Sequence, residues 1–121
     1  MGDRNNPALE LSFSLAVDLV KYCYKLQQEK KEYVMSRQLL RSSTSIGANL
    51  EEAIGGQSNK DFLSKISISY KESRETIYWL RLLREVDFLN NEEFNKYNDK
   101  ATQLSMILSK SISTLKKRLG K

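Results

Sequence analysis

The side chains in this sequence best placed to do chemistry are four carboxylates: the adjacent Glu51 and Glu52, and Glu72 and Glu75, which lie three residues apart. On neighbouring helices such a set could gather round a divalent cation, or it could hold a cationic side chain. The first reading lacks its usual companions. The chain has no histidine, which removes the commonest general base and metal ligand. A di-iron bundle site is built from Glu-x-x-His pairs on facing helices, and none can form. Structural pairing is therefore favoured. Arg41, Ser45, Asn49 and Glu52 follow one another at spacings of four, four and three, which places them on one helix face. Arg41 is expected to pair with Glu72 or Glu75, within the chain or across an interface. Arg41, Ser45, Asn49, Glu52, Glu72 and Glu75 are then candidates for a buried polar set, and breaking a truly buried pair costs roughly 3–5 kcal/mol; the plainer reading sets Glu72 and Glu75 at the solvated edge.

Other chemistry is quickly excluded. The single cysteine, Cys23, falls on an apolar stripe and reads as an inert core thiol. The run GGQSNK at residues 55–60 lacks the GxxxxGK[ST] spacing of a phosphate loop and reads as a helix connection. The chain is not expected to be an enzyme, and no catalytic residue, metal or cofactor is assigned. What remains is charge. Residues 90–121 hold seven basic against three acidic side chains, a surplus of four out of the net +5. Lys110, Lys116, Lys117, Arg118 and Lys121 concentrate that surplus at one end and are the candidate phosphate contacts; the plainer reading is a basic helix end complementing its own dipole. No helix-turn-helix, zinc finger or exposed aromatic–basic alternation is visible. Any nucleic-acid binding, to RNA or DNA, is thus expected to be insensitive to sequence and steeply dependent on salt.

These residues must be positioned by helices, because no segment alternates like a strand. Asn6-Pro7 opens the first helix, with proline at a position where its missing N–H costs nothing. Leu9, Phe13, Ala16, Val20, Cys23 and Gln27 make one stripe along it, and Leu15, Leu19, Tyr22 and Leu26 make a second. Ser36 is the expected cap of the second helix and the pair Gly55-Gly56 its stop. Ser58 with Asp61 opens the third. Asn90 or Asn91 caps the fourth, whose seam is Phe94, Tyr97, Ala101, Leu104, Leu108, Ser111 and Leu115. The expected architecture is all-α: an up-down-up-down antiparallel four-helix bundle, one domain over residues 1–121, with helices at about 7–29, 36–55, 59–86 and 91–119. A single cysteine and an N-terminus without the basic-then-apolar order of a secretory signal suit a reducing cytoplasm. The longest apolar segment, residues 9–20, is interrupted by Glu10, Ser12, Ser14 and Asp18, so no membrane span is expected.

Two features go beyond a simple bundle. The stretch RSSTSIGANLEEAIGG at residues 41–56 puts hydroxyls, Gly47 and Ala48 inside a helix. Gly47 costs about 1 kcal/mol of helix propensity relative to alanine, which close packing by neighbouring helices must offset. The third helix has the opposite excess. Phe62, Ile68, Ser69, Trp79, Leu80, Leu82, Leu83 and Val86 cover an arc of about 160°, wider than the stripe of roughly 100° that a monomer buries. Glu72, Glu75 and Lys65 fall inside it. Ordinary wide cores are one explanation. Self-association is favoured over it, with Tyr78, Trp79, Leu82, Leu83 and Val86 as the candidate interface.

The segment QLLRSSTSIGANLEEAIGGQSNKDFLSKISISYKESRETIYWLRLL, residues 38–83, resembles the signature of a family of small four-helix bundle proteins. These are related to the intervening-sequence proteins of large-subunit ribosomal RNA genes and to the accessory variability determinant of diversity-generating retroelements. The residues that carry the resemblance are Arg41, Ser45, Ile46, Asn49, Glu52, Ser58, Asp61, Phe62, Lys71, Glu72, Glu75 and the run Tyr78-Trp79-Leu80-Arg81-Leu82-Leu83. The resemblance implies a four-helix subunit assembling into a homopentameric ring or barrel. It also implies, from the retroelement members, nucleic-acid binding and a protein partner such as a reverse transcriptase.

Overall fold

The computed structural model describes residues 6–120. Four helices follow in order: α1 (Pro7–Lys30), α2 (Val34–Ile54), α3 (Asn59–Glu85) and α4 (Asn91–Arg118). There is no strand among the described residues. Asn6 Oδ1 accepts the Ala8 N–H at 2.8 Å, Ser58 Oγ the Asp61 N–H at 3.1 Å, and Asn90 Oδ1 the Glu93 N–H at 2.7 Å. Each cap satisfies a donor that has no partner inside its own helix.

The second helix starts earlier than Ser36 and by another device. The Glu32 carboxylate accepts the N–H groups of Val34, Met35 and Ser36 at 3.1, 3.1 and 2.8 Å. One acidic side chain thus does the work expected of the Ser36 hydroxyl, and its charge suits the positive helix start. Ser36 is fully buried and donates instead to the Glu32 carbonyl at 2.7 Å. Lys31, at φ 55°, and Asp87, at φ 65°, take the left-handed conformation in the first and third connections.

Each helix packs on its neighbours in sequence, and α1 closes against α4, while the diagonal pairs α1/α3 and α2/α4 do not meet. The chain is an antiparallel four-helix bundle. The core is aliphatic: Leu15, Leu19, Leu39, Ile46, Leu80, Leu83, Leu104 and Leu108 have no exposed surface. Cys23 lies among them, and burial pushes its thiol up to about 12. Tyr22 ties α1 to the α3–α4 connection by donating to the Phe88 carbonyl at 2.8 Å. Burial, then the nearby Glu93 charge, holds that phenolic proton far above its ordinary range.

The α2–α3 contact is built differently, from hydroxyls. Ser42, Ser43, Ser69, Ser73 and Thr76 are all fully buried. Ser69 Oγ donates across to the Ile46 carbonyl at 2.8 Å. The Thr76 hydroxyl lies 3.0 Å from Ser42 Oγ and 2.9 Å from the Glu72 carbonyl, and donates to one at a time. Small side chains let the two helices approach, and every hydroxyl so buried has a partner, as a buried polar group requires. Gly47 performs the same service toward α1. A Cβ there would sit 3.1 Å from Ser12 Oγ, a hydroxyl already held by its bond to the Leu9 carbonyl.

Candidate nucleic-acid interface

The helix α4 ends in Lys116, Lys117 and Arg118, all exposed. Successive residues turn by about 100°, so the three cations splay round the helix instead of converging. Arg118 borders a pocket of about 540 Å³ formed with Gly56, Gln57, Ser58, Asn59 and Phe62 at the α2–α3 connection. Lys110, roughly 9 Å further back along the axis, lines a separate groove between α3 and α4, together with Tyr70 and Arg74. Lys121 lies outside the described residues. The structure therefore divides the candidate phosphate contacts: three at the helix end and one in the groove. Among the described residues no ion pair engages Lys110, Lys116, Lys117 or Arg118. Lys100, on the same helix, is taken by Asp18 at 2.6 Å and by Ser14.

The carboxylates resolve into two clusters. Arg41 donates from Nη1 to Glu72 at 2.9 Å and from Nη2 to Glu75 at 2.5 Å, in the same chain, and Trp79 Nε1 donates to the same Glu75 oxygen at 3.0 Å. Glu52 is engaged separately by Lys65 at 2.8 Å. Below Arg41, the Ser45 hydroxyl donates to the Arg41 carbonyl and Asn49 Nδ2 to the Ser45 carbonyl, at 2.6 and 2.8 Å. The expectation of burial needs correcting. The Arg41 side chain is 49% exposed and that of Glu52 58%, while Ser45, Asn49, Glu72 and Glu75 are half-buried. The cluster lies along the α2–α3 edge, and the buried hydrogen bonds belong to the serines and Thr76 beneath it. Long side chains reached over the small ones, which spacing alone does not reveal.

This placement sets a modest energy. Two partly exposed ion pairs contribute about 0.2–1 kcal/mol each, so Arg41→Ala is expected to cost about 1 kcal/mol at neutral pH, well short of a buried pair. The Trp79 N–H and then Arg41 hold the Glu75 carboxyl below its ordinary value of 4.5, against the opposing pull of burial. A carboxyl depressed in the folded state stabilises fully above its unfolded pKa. That contribution is lost as pH falls below 4.5 and through the lowered value. Melting curves of wild type and Arg41→Ala at neutral and acid pH should converge on acidification. An unchanged melting temperature at neutral pH would remove the pairing from the stability of the fold.

The proposed interface residues also separate. Leu83 is fully buried in its own subunit and cannot face a partner; it packs in the aliphatic core because it follows Leu80 at the core spacing of three. Leu82 and Trp79 are half-buried, and only Tyr78 (55% exposed) and Val86 (45%) present substantial surface. The larger apolar surface is on α1. Phe13 (72%), Val17 (38%) and Tyr24 (57%) are exposed, with half-buried Val20 between them. Their spacing of four, three and four is that of a seam packing on another helix. The signal was present in the first apolar stripe of α1, which includes Phe13 and Val20 but not Val17 or Tyr24.

Comparison with known proteins follows this geometry. The sequence profile of the family described as 23S rRNA-intervening sequence protein matches residues 4–110. A crystal structure at 1.70 Å resolution of a protein of unknown function from the S23 ribosomal protein family, from Bacteroides thetaiotaomicron VPI-5482, is similar at a TM-score of 0.85 and 41% identity. That match covers 87% of this chain and 97% of the other. No curated protein matches the chain. Among the described residues, no helix is long and apolar enough to cross a membrane.

Proposed function

The chain belongs to the 23S rRNA-intervening sequence protein family, and from that premise we propose a non-enzymatic, self-assembling accessory protein that holds nucleic acid through the basic end of α4. The carrying observation is uncompensated charge. From residue 100 onward the chain has no acidic side chain, and among the described residues Lys110, Lys116, Lys117 and Arg118 are exposed without ion pairs. Cations placed in this way bind phosphates by releasing counterions. They read no bases. Ribosomal RNA is the first ligand to try, given the family's name, and the cytoplasm is the setting.

Self-assembly is supported by the two exposed apolar surfaces, on α1 and α3, which occupy diagonal corners of the bundle. Unlike patches facing apart make a head-to-tail contact, which closes into a ring when the rotation allows. The family resemblance carried by residues 38–83 implies five copies for such a ring. A ring would gather the basic ends into one multivalent surface.

Fluorescence anisotropy with a labelled RNA strand and a labelled duplex tests this reading. Neutralising three single-strand phosphates predicts a roughly 40-fold loss of affinity between 50 and 300 mM salt. Lys116→Gln/Lys117→Gln/Arg118→Gln should weaken binding at every sequence. Absence of binding at low salt would reject the reading. A second reading, a scaffold docking a protein such as a reverse transcriptase, is favoured by the Phe13–Val17–Tyr24 seam, which suits a partner helix equally well.

A further inference from the structure

We infer that the α3–α4 face is a track for one unpaired nucleic-acid strand, running from Arg81 through Arg74 and Lys110 to Lys117, with Tyr70 and Met106 as an apolar floor for bases. The inference rests on the nucleic-acid reading above and deepens it by naming the surface and the strandedness.

Charge segregation on α3 is the first observation. Its mid-helix acids, Glu72 and Glu75, are both drawn to the α2 side by Arg41. Arg74 and Arg81 are exposed and make no ion pair among the described residues. Arg74 lines the α3–α4 groove, and Arg81, one heptad away, shares its face. Over residues 72–81 the helix α3 is thus acidic toward α2 and basic toward α4, while Lys65 further back is taken by Glu52.

Register is the second. Arg84 of α3 lies over the Phe94 ring of α4, 3.8 Å from its centre, which fixes how the antiparallel pair aligns. Counting back along both helices sets Arg81 level with α4 position 97 and Arg74 level with 104. The four cations therefore occupy successive stations at about 97, 104, 110 and 117, spaced roughly 10 Å apart at about 1.5 Å per residue. An even row of like charges matches a polyphosphate backbone, at about one contact per three nucleotides when each rises about 3.4 Å.

The groove between the stations is the third. It encloses about 750 Å³ and is lined by Tyr70, Met106, Ser109 and Ser113 beside Arg74 and Lys110. Met106 is 65% exposed and Tyr70 half-buried. A duplex shows only phosphate and sugar to such a surface. A single strand also offers bases, which stack on aromatic surfaces whatever their sequence. Asp99 is the one acidic residue on α4 beyond its first turn; it lies between the Arg81 and Arg74 stations, about 16 Å from Lys110.

The test is anisotropy at low salt with an unstructured strand of about 9 nucleotides, sized to the track at about 3.4 Å per nucleotide, and with a duplex of the same length. Full-length wild type, Arg74→Gln/Arg81→Gln/Lys110→Gln, Tyr70→Leu and the tail triple variant are compared, each first shown to melt like wild type. The groove triple variant should lose at least about tenfold of its single-strand affinity, with the salt slope reduced by about 2. Tyr70→Leu should lose about fivefold or more with the slope unchanged, because stacking carries no counterion term. Wild type should prefer the strand to the duplex. Full binding by the groove variant, with loss only in the tail variant, would overturn the track while leaving the basic-end reading intact. Equal displacement of the strand by polyglutamate would overturn it in favour of an acidic protein. No binding by wild type would overturn both readings together.

Discussion

Ser69→Leu is expected to destabilise the subunit by roughly 3 kcal/mol, at the upper end of the usual cost of overpacking. At a chain length of 121 residues that is a fall in melting temperature of about 9–15 °C. Ser69 has no exposed surface, and its hydroxyl donates to the Ile46 carbonyl of the facing helix. Here only the small Ser69 side chain stands between α3 and the Ile46 carbonyl of α2. A leucine must push the two helices apart, and the displacement would stretch the Thr76–Ser42 contact on the same seam. Ser69→Ala is the control. It removes the hydrogen bond without adding bulk and should cost only about 1 kcal/mol. Thermal melts of the three proteins check the claim, and a leucine variant as stable as wild type would mean that α2 and α3 are not held close by small residues.

Leu80→Ala makes the opposite error eleven residues further along the same helix. Leu80 is fully buried among the leucines of the bundle core. Truncating it removes apolar contact and leaves a void that a bundle braced by close α2–α3 packing cannot easily collapse. The expected loss is about 2–5 kcal/mol, measured by urea titration, with Leu80→Met at less than about 1.5 kcal/mol because volume is kept. The contrast assigns the middle and the C-terminal part of α3 different tolerances. Near Ser69 the helix lacks room for volume, and near Leu80 it depends on it.

Much of this was readable from spacing. The α4 seam from Phe94 to Leu115 lies in the core except for half-buried Ser111. The second α1 stripe, Leu15, Leu19, Tyr22 and Leu26, is buried throughout. The first α1 stripe was harder, because a residue's inward or outward direction depends on where the neighbouring helices sit. Leu9 and Cys23 reached the core and Phe13 did not. The Glu32 cap has no short-side-chain signature of the familiar N-cap types, because a glutamate reaches forward into the helix from outside it. Spacing groups the polar cluster but does not set its depth. Helical spacing assigns Arg41, Ser45, Asn49 and Glu52 to one face and says nothing of how far a long arginine extends past a serine. The α3–α4 groove had no linear signature at all, since Arg74 and Lys110 are 36 positions apart.

The topology has a kinetic consequence. Consecutive helices are joined by connections of three, four and five residues, so three of the four helix contacts form between segments already adjacent in the chain. Such low-contact-order folds assemble on the microsecond-to-millisecond scale. Only the closure of α1 on α4, fastened by Tyr22 on Phe88 and by Asp18 on Lys100, brings distant segments together and bears the entropy of a long loop. The α2–α3 hairpin, with its buried hydroxyl bonds, is then the part whose amides exchange last with solvent. The α1–α4 edge opens first, exposing the outer helices while the central pair stays folded.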